Sequence, residues 1–450
     1  MLGLKTRKEF AEEAHKLAVS YGMVRCNSVT YLPLKYDSLL VGEPCEPAET
    51  VWVPLTRAGV QELAANQFQT LFASDSELKS FDYMVAQNAA KVKTPDTGVL
   101  VRTSDGLRLL TTAGVLEEPS GEFVPNYIHP MFTPDDEAKA EVKAVLLDWL
   151  GDGDEVDSLL NHLATSLAPQ YSAVKYVLLL GHGRNGKGLL IKMMQALFGS
   201  ENVSHVSRQY MSEMSPAVVD LNGKLLNLVF DGSSDYIKDS GPEKTLVAGE
   251  PLSVRMLYES SPTVVQTNAL FIEALNQEPK SKDKSQALQK RLVRFWFTKT
   301  FKSDLKFERH MLSPRMLSGF LQLLIEHYVV ESELAFRLAP TAEAMRLQVE
   351  YESHNSVALQ FLQHVHMSDP FGVDHVIGLQ VDELCKEFKE WRAEIGDKGF
   401  WSDPDILIIF KSTIVTERKS VRTPAGPRKK THVAALTASA ETFIETLTKE

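Results

Sequence analysis

The feature that most constrains this chain is an apolar run that ends in a glycine-rich turn and is followed by an amphipathic segment. The run covers residues 177–180, and the turn reads Gly181-His182-Gly183-Arg184-Asn185-Gly186-Lys187-Gly188. This order predicts a buried strand, a loop and a helix. Glycine allows backbone N–H groups to point into a loop, and the N-terminus of a helix adds partial positive charge. The sequence therefore predicts a phosphate-binding loop.

The loop also contains a lysine in the position where it reaches the terminal phosphates of a nucleotide as a point charge. Glycine-rich turns between strands and helices occur without a ligand as well, but the lysine favours nucleotide binding. Gly188 stands where Ser or Thr would offer a hydroxyl to Mg²⁺, so other groups or water must hold the metal. We predict ATP and Mg²⁺ as ligands and assign ATP binding to these residues: Gly181, Gly183, Arg184, Asn185, Gly186, Lys187 and Gly188.

Composition limits the class of protein. The chain has 450 residues, of which 44% are hydrophobic and 24% charged, as in soluble proteins of two to four domains. No apolar run reaches the roughly 18 residues of a membrane-spanning helix, and residues 1–14 lack an apolar signal core. We expect a cytoplasmic protein, in the host cytoplasm if a phage encodes it, with no membrane partner. Its three cysteines are too scattered for a disulfide framework or a zinc site.

A second apolar run, residues 225–230, ends at Asp231. In P-loop ATPases an acid at the end of such a strand holds Mg²⁺ and helps to position the attacking water. The alternative is an aspartate that begins a turn, because glycine and two serines follow. We predict that Asp231 is a metal ligand. Gly232 occupies the place of the expected second acid, for which Asp235, or one of Ser233 and Ser234, is the substitute.

A third run, residues 263–268, predicts a strand that ends at Asn268. Because ligands of parallel α/β sheets bind at the carboxyl ends of the strands, Lys187, Asp231 and Asn268 are expected to meet there. We predict that Asn268 orients the attacking water; the alternative is a turn residue. Later, basic and apolar residues alternate over residues 289–297. This pattern is typical of a solvated strand, or of an arginine that reaches the γ-phosphate of a neighbouring subunit.

Together these residues resemble a superfamily 3 helicase, most closely the poxvirus-type primase-helicase branch common in phages and mobile elements. The resemblance rests on the loop to Lys187, the strand to Asp231, residues 244–255, Thr267-Asn268 and residues 290–292. It implies that the lysine loop binds ATP, the acid binds Mg²⁺ and the asparagine is a sensor. Gly188 and the single acid depart from the superfamily pattern and put the rate of ATP hydrolysis in question.

The resemblance also implies a DNA-contacting hairpin in a hexamer channel and an arginine that acts in trans. The hairpin spans roughly residues 255–260, and Lys244, Arg255 and Tyr258 are predicted to contact DNA. Arg291 is the first choice for the trans-acting arginine and Arg294 the second. A channel agrees with the net charge of −11, which does not indicate a general nucleic-acid binder and requires local concentration of positive groups.

We predict an α/β fold class: a P-loop AAA+-like ATPase core with a mixed N-terminal domain, a helical neck and a C-terminal winged-helix-like domain. The accessory N-terminal domain covers 1–133, the neck 134–170, the core 171–302, a helical extension 303–366 and the winged-helix-like domain 367–450. Basic residues cluster at the predicted wing, where they suit contact with DNA phosphates; the alternative is a merely solvated hairpin. They are Arg418, Lys419, Arg422, Arg428, Lys429 and Lys430.

Two functions of different classes agree with these patterns. The first is an ATP-dependent replicative DNA helicase of a phage or mobile element, which translocates on single-stranded or forked DNA as a ring, expected to be a hexamer. A primase or polymerase is an expected further partner. The second is an ATP-binding origin-recognition or replisome-assembly factor that hydrolyses slowly. A P-loop kinase agrees less well, because no lid-like arginine cluster follows the loop.

Overall fold

The structure is a computed structural model, and its chain divides into two compact units: Met1–Lys282 with Lys290–Thr341, and Asp283–Gln289 with Ala342–Glu450. These units are coarser than the five predicted domains, whose boundaries stay a prediction. The structure describes residues 7–26, 29–35, 50–55, 57–68, 72, 74–92, 98–111, 113–119, 123–124, 126–168, 176–235, 237–256, 262–279, 286–333, 338–369, 372–395, 402–411, 413–423, 426–437, 440–441 and 444.

The first unit begins with a small mixed sheet and three helices. Its elements are α1 (Arg7–Ser20), β1 (Val24–Cys26), β2 (Val29–Lys35), β3 (Thr50–Pro54), α2 (Arg57–Phe68), α3 (Asp75–Asn88) and β4 (Ala90–Lys91). The described strands lie in the order β3-β2-β1-β4. Leu17, Val60 and Phe81 pack in the core between helices and sheet. This core is separate from the main hydrophobic core, which surrounds the parallel sheet at the centre of the unit.

A second small sheet connects this part to the rest of the unit. It contains β5 (Val99–Thr103), β6 (Gly106–Leu110), β7 (Leu116–Glu117) and β8 (Tyr127–Ile128). Among the described residues the order is β7-β6-β5-β8. A tight turn joins β5 to β6 just before Gly106, which has a φ of 109° that favours glycine. Val101 and Ile128 belong to the main hydrophobic core.

Two helices, α4 (Asp136–Leu150) and α5 (Gly153–Ala164), lie within residues 134–170, where a helical neck is predicted. The Asp135 side chain caps α4 by accepting a hydrogen bond from Ala138 N at 2.9 Å. Gly151 ends α4 in the left-handed conformation, with a φ of 84°. Asp152 then caps α5 by accepting from Asp154 N at 2.7 Å. Both helix boundaries therefore follow from local capping chemistry.

The centre of the unit is a parallel sheet. The elements in this region are β9 (Tyr176–Leu180), α6 (Lys187–Phe198), β10 (Val203–Ser204), α7 (Arg208–Ser212), β11 (Leu226–Val229), α8 (Gly241–Val247), β12 (Leu252–Val254), β13 (Thr263–Val265), β14 (Leu270–Leu275) and β15 (Leu292–Trp296). Helix α9 (Gln286–Gln289) comes between β14 and β15 in sequence and belongs to the second unit. In the described part of the chain the sheet has five strands in the order β10-β11-β14-β9-β15, and each neighbouring pair is parallel. Alternate strand residues such as Leu179 and Ala274 bury one face against Leu190 and Met194 of α6.

The prediction that residues 263–268 form a strand of this sheet is wrong. Strand β13 pairs antiparallel with β12, and the sheet strand is the following one, β14. Between them the chain turns: Gln266 N donates to Asn222 Oδ1 at 3.1 Å, and Ala269 N donates to Thr267 Oγ1 at 3.0 Å. Asn268 therefore precedes a core strand and does not end one.

Helices α10 (Leu305–Met311) and α11 (Pro314–Glu333) complete the first unit. Helix α11 packs against α4 at a point where Gly319 allows close approach. A Cβ on Gly319 would lie 2.7 Å from the backbone carbonyl carbon of Ala138. Arg315 also pairs with Asp135, with Nε 2.6 Å from Oδ2. The neck is thus fixed to the helix that follows the sheet in sequence.

The second unit has four helices and a hairpin among its described residues from 342 onward. They are α12 (Ala342–Asn355), α13 (Val357–Ser368), α14 (Val381–Glu394), α15 (Asp403–Phe410), β16 (Ile414–Thr423) and β17 (Gly426–Leu436). Its core contains an aromatic cluster of Phe361, Phe388, Trp391 and Phe410. One short 3-10 helix of this unit covers Gly372–His375, and the first unit has others at Thr165–Leu167, Ser200–Asn202 and Pro216–Leu221.

Candidate nucleotide-binding site

The predicted phosphate loop connects β9 to α6, as the sequence pattern requires. Gly181, Gly183 and Gly186 have φ angles of 149°, 95° and 98°, where a side chain is strained. A Cβ on Gly181 would lie 2.1 Å from Asn185 Nδ2, and one on Gly186 would lie 2.5 Å from the Trp149 ring. These two glycines are therefore required by both backbone conformation and packing.

Lys187 is the first residue of α6 and is only 5% exposed. Its Nζ donates to Gly181 O at 2.6 Å and to Asn185 Oδ1 at 3.0 Å. Burial lowers the pKa of Lys187 to about 8, and the nearby Asp231 carboxylate opposes this shift. Phosphate oxygens are stronger acceptors than these neutral groups because they carry charge. The lysine is therefore held where an anion would bind it better than its present partners do.

A cavity of about 810 Å³ opens in front of the loop. Its size is within the range of ligand sites for small molecules. Helix α4 and residues 301–308 also line the cavity, and the sequence predicted neither of them at this site. Representative lining residues are Val145, Trp149, Asn185, Lys187, Phe230, Asn276, Phe301 and Phe307. The cavity thus combines an aromatic and apolar wall with the cationic loop.

The carboxyl ends of three strands lie along one edge of the cavity. Leu275 at the end of β14 is level with Leu180 at the end of β9. Asp231 follows β11 by two residues, and its carboxylate acts on the pKa of Lys187. Asn276 directly follows β14 and lines the cavity. A cation, a carboxylate and an amide therefore lie together at this edge.

The prediction that Asn268 lies beside the loop is wrong. Asn268 comes before Phe271, which pairs with Tyr176 at the start of β9, so it lies at the amino edge of the sheet. The amide at the carboxyl edge is Asn276. The sequence carried a signal for it, because residues 270–275, which are apolar except for Glu273, form a longer segment than residues 263–265 and are followed directly by this asparagine.

Mg²⁺ fits this edge only with help from a bound nucleotide. Among the described residues, no group of three His, Cys, Asp or Glu side chains can hold a metal ion. Mg²⁺ in phosphate sites is usually held by one or two carboxylates, with phosphate oxygens and water as further ligands. Asp231 provides such a carboxylate. At Gly188, a Cβ would meet no described atom within 4 Å, so the missing hydroxyl leaves open space.

Arg291, which precedes β15, and Arg294, which lies within β15, have different environments. Arg291 precedes β15 at the amino edge, where its carbonyl accepts from Tyr176 N at 2.7 Å. Strand length separates it from its own phosphate loop by roughly 15–20 Å. Arg294 is 1% exposed and forms two hydrogen bonds with Glu278, at 2.7 and 2.9 Å. The second choice for a trans-acting arginine is therefore wrong, because Arg294 is occupied by a buried ion pair.

Strands β12 and β13 pair antiparallel on either side of the predicted hairpin at residues 255–260, of which 257–260 lie outside the described residues. Arg255 directly follows β12 and is exposed. Lys244 lies in α8 and is partly buried. Tyr258 lies outside the described residues. Contact of this hairpin with DNA stays a prediction.

The six basic residues of the predicted wing lie on one antiparallel hairpin, β16–β17. Arg418 and Lys419 are exposed, and Lys419 pairs with Glu417. Lys430 is directly opposite Lys419, and its Nζ donates to Gln380 Oε1 at 2.5 Å. In the backbone register the remaining three are Arg422 opposite Pro427, Arg428 opposite Val421 and Lys429 opposite Ser420. Their contact with DNA stays a prediction.

None of the helices in the described residues combines the length and apolar composition that crossing a bilayer requires.

The chain was compared with known proteins. No protein-family model matches it, and no curated protein does. In fold it is similar to the apo A form of the C-terminal region of NrS-1, with a TM-score of 0.52, 12% identity, and coverage of 94% of this chain and 98% of that chain. A second apo structure of that region gives a TM-score of 0.47 and 11% identity, over 94% and 98%. JCV helicase with a bound acetamide compound gives 0.29 and 14%, over 49% and 66%.

Proposed function

We propose that this chain is an ATP-dependent replicative DNA helicase that works as a ring and hydrolyses ATP between subunits. The observation that carries the proposal is the meeting of Lys187, Asp231 and Asn276 at one edge of the parallel sheet, beside a cavity of nucleotide size. A cation for phosphates, a carboxylate for a metal and an amide for water are the groups that phosphoryl transfer to water needs.

Each group has a distinct role. Lys187 and the loop backbone hold the phosphates, and Lys187 exchanges its two neutral acceptors for phosphate oxygens. Asp231 would hold Mg²⁺, which neutralises phosphate charge when bound. The Asn276 amide orients the attacking water. The apolar wall with Phe301 and Phe307 provides a surface for the base.

DNA contact is assigned to the two hairpins. Arg255 stands at the exposed end of β12, in the connection that would enter a channel. Arg418 and Lys419 stand exposed on β16 and suit phosphate contact. Since the chain carries a net charge of −11, a ring that brings several copies of Arg255 together is the way to create a positive path.

The ring also accounts for Arg291. This residue lies at the amino edge and therefore cannot reach its own loop within one subunit. In a ring it meets the cavity of the neighbouring copy, where its charge stabilises the transition state.

The test is DNA-stimulated ATP hydrolysis and unwinding of a forked duplex by wild type, Lys187→Ala and Lys16→Ala. Lys16 is exposed on α1 and serves as the matched control. We expect the wild type and the control to hydrolyse ATP and to unwind, and Lys187→Ala to do neither. Wild-type protein that hydrolyses ATP without stimulation by DNA, and never unwinds, would contradict a motor.

That contrary result would favour the second candidate, an ATP-binding origin-recognition or replisome-assembly factor with slow hydrolysis. The observation that supports it is the weak metal site: Gly188 offers no hydroxyl and Gly232 no carboxylate. Such a factor would assemble on DNA in the presence of ATP, which a mass measurement would detect, and would turn over at a rate independent of DNA.

A further inference from the structure

Gly232 lies beside Asp231, and the space that a side chain at 232 would occupy is already filled. A Cβ there would lie 2.3 Å from Glu273 Oε1 and 2.5 Å from Leu275 Cδ2. Gly232 N also donates to Ala274 O at 2.8 Å, which fixes its backbone against β14. The acid that reaches this place therefore comes from the neighbouring strand.

Glu273 is held in this place by a buried hydrogen bond. It is 1% exposed, and its Oε2 accepts a hydrogen bond from the Tyr176 hydroxyl at 3.2 Å. The charged groups that act on it are Arg208 of α7, Glu243 of α8 and Glu278 after β14. Arg208 Nε donates to Glu243 Oε1 at 3.1 Å. The cluster thus contains more carboxylates than arginines that face Glu273.

Burial sets the protonation of Glu273 in the first place, and these charges modify it. Burial raises its pKa to about 7, Arg208 and the Tyr176 hydrogen bond oppose the shift, and Glu243 and Glu278 add to it. At neutral pH the side chain is divided between charged and neutral forms. A group with a pKa near the working pH changes its charge readily when its surroundings change.

The same cluster is connected to the segment after Asp231. Gln209, next to Arg208 on α7, donates from Nε2 to Ser233 O at 3.2 Å. Ser212, at the end of α7, accepts at its Oγ a hydrogen bond from Asp239 N at 3.1 Å. Helix α7 therefore contacts both ends of the segment that leads from Asp231 to α8.

We propose that Glu273 is a positioning residue for ATP hydrolysis: from β14 it supplies the second negative charge that Gly232 lacks, and it acts through Gly232 and Asp231. An ionised Glu273 against Gly232 adds negative charge beside the residue that follows Asp231, and this charge favours a cation at Asp231. This inference rests on the proposed ATPase function. It assigns the second acid to a residue that the spacing of the motif does not indicate.

The test is Glu273→Gln, which keeps the size of the side chain and its acceptor for Tyr176 but removes the charge. We expect kcat for ATP hydrolysis to fall at least tenfold, with KM, the calorimetric Kd for ATP and the melting temperature close to wild type. Glu213→Gln, at an exposed carboxylate just after α7, is the control and should match the wild type. Unchanged kcat in Glu273→Gln would overturn the inference.

A pH profile separates this role from a purely structural one. We expect wild-type kcat to rise through about pH 7 as Glu273 ionises, and Glu273→Gln to lack this limb. Tyr176→Phe removes a hydrogen bond that lowers the pKa, so the limb should move to higher pH. The same limb in Glu273→Gln, or no movement in Tyr176→Phe, would overturn the inference. Loss of hydrolysis in wild type and Glu213→Gln would instead overturn the proposed function, and this inference with it.

Discussion

The two edges of the parallel sheet differ in what they carry. The carboxyl edge has the phosphate loop, Asp231 and Asn276 beside the cavity. The amino edge has Arg291 and the β12–β13 hairpin, which is attached through hydrogen bonds of Asn222 to Val264 and Gln266. Strands of about five residues separate the edges by roughly 15 Å. In one subunit, the groups proposed for nucleotide binding are thus out of reach of those proposed for DNA and for the neighbouring site.

The largest expected effect tests whether the amino edge takes part in hydrolysis at all. Arg291→Ala should reduce kcat about 1,000-fold, because an arginine at the γ-phosphate stabilises the transition state. ATP binding should persist. A mixture of the Arg291→Ala and Lys187→Ala proteins should regain part of the activity. In such a mixture some subunit interfaces combine an intact loop with an intact arginine. Lys290→Ala, at the exposed neighbour, is the control. Mixtures that stay inactive would contradict a role of Arg291 in the site of a neighbouring subunit.

The second test compares asparagines at the two edges. Asn276→Ala should lower kcat about 100-fold, because one well-placed hydrogen-bonding group contributes an effect of that order. Asn268→Ala, at the amino edge, should leave kcat within about twofold of the wild type, because it lies away from the cavity. Steady-state ATPase assays measure both. The opposite ranking would mean that the strand register does not place the catalytic amide.

The third test concerns the charge of Lys187 at the carboxyl edge. Its pKa of about 8 means that the unliganded lysine loses its proton above that pH, and ATP binding must then take up a proton. The Kd for ATP should therefore rise by up to about tenfold per pH unit above pH 8. Calorimetry in buffers of different ionisation enthalpy measures the proton uptake. Lys187→Met should bind ATP more weakly, and its Kd for ATP should not rise in this way with pH.

The smallest expected effect sharpens the description of the metal site. Gly188→Ser should lower the Mg²⁺ concentration needed for half-maximal hydrolysis by a few-fold, because one added polar contact contributes about 1 kcal/mol. The position has room, since a Cβ there meets no described atom within 4 Å. Gly188→Ala fills the same space without a hydroxyl and should change nothing. Equal effects of both variants would show that bulk, and not metal contact, matters there.

The parts of the site that could be predicted are those encoded within a few consecutive residues. The loop needs glycines at positive φ and a lysine at the start of a helix, and all of these lie within residues 181–188. The strand that leads to Asp231 is likewise a single apolar run. Local patterns of this kind express backbone requirements directly, so the sequence was sufficient.

Strand partners could not be predicted in the same way. The apolar runs 263–265 and 270–275 follow each other closely, and both form strands. Periodicity does not show that the first pairs with β12 and the second with β9 and β11. Pairing depends on contacts between residues far apart in sequence. For this reason the sequence pattern favours Asn268 for the sensor role, whereas the amide at the carboxyl edge is Asn276.

Contacts between distant segments also explain what was missed. The cavity wall joins α4 to residues 301–308, and the Arg294–Glu278 and Arg208–Glu243 ion pairs join different elements. Alternation of basic and apolar residues correctly indicated the strand β15. It did not indicate that the side of the sheet with Arg294 is buried.

Trp149 has a consequence for how the molecule is studied. Its ring lies against Gly186 and forms part of the cavity wall, whereas Trp391 lies in the core of the second unit. Indole emission depends on the immediate surroundings of the ring. Trp149 fluorescence should therefore report nucleotide binding at the phosphate loop. Comparison with Trp149→Phe identifies the part of the fluorescence that nucleotide binding changes.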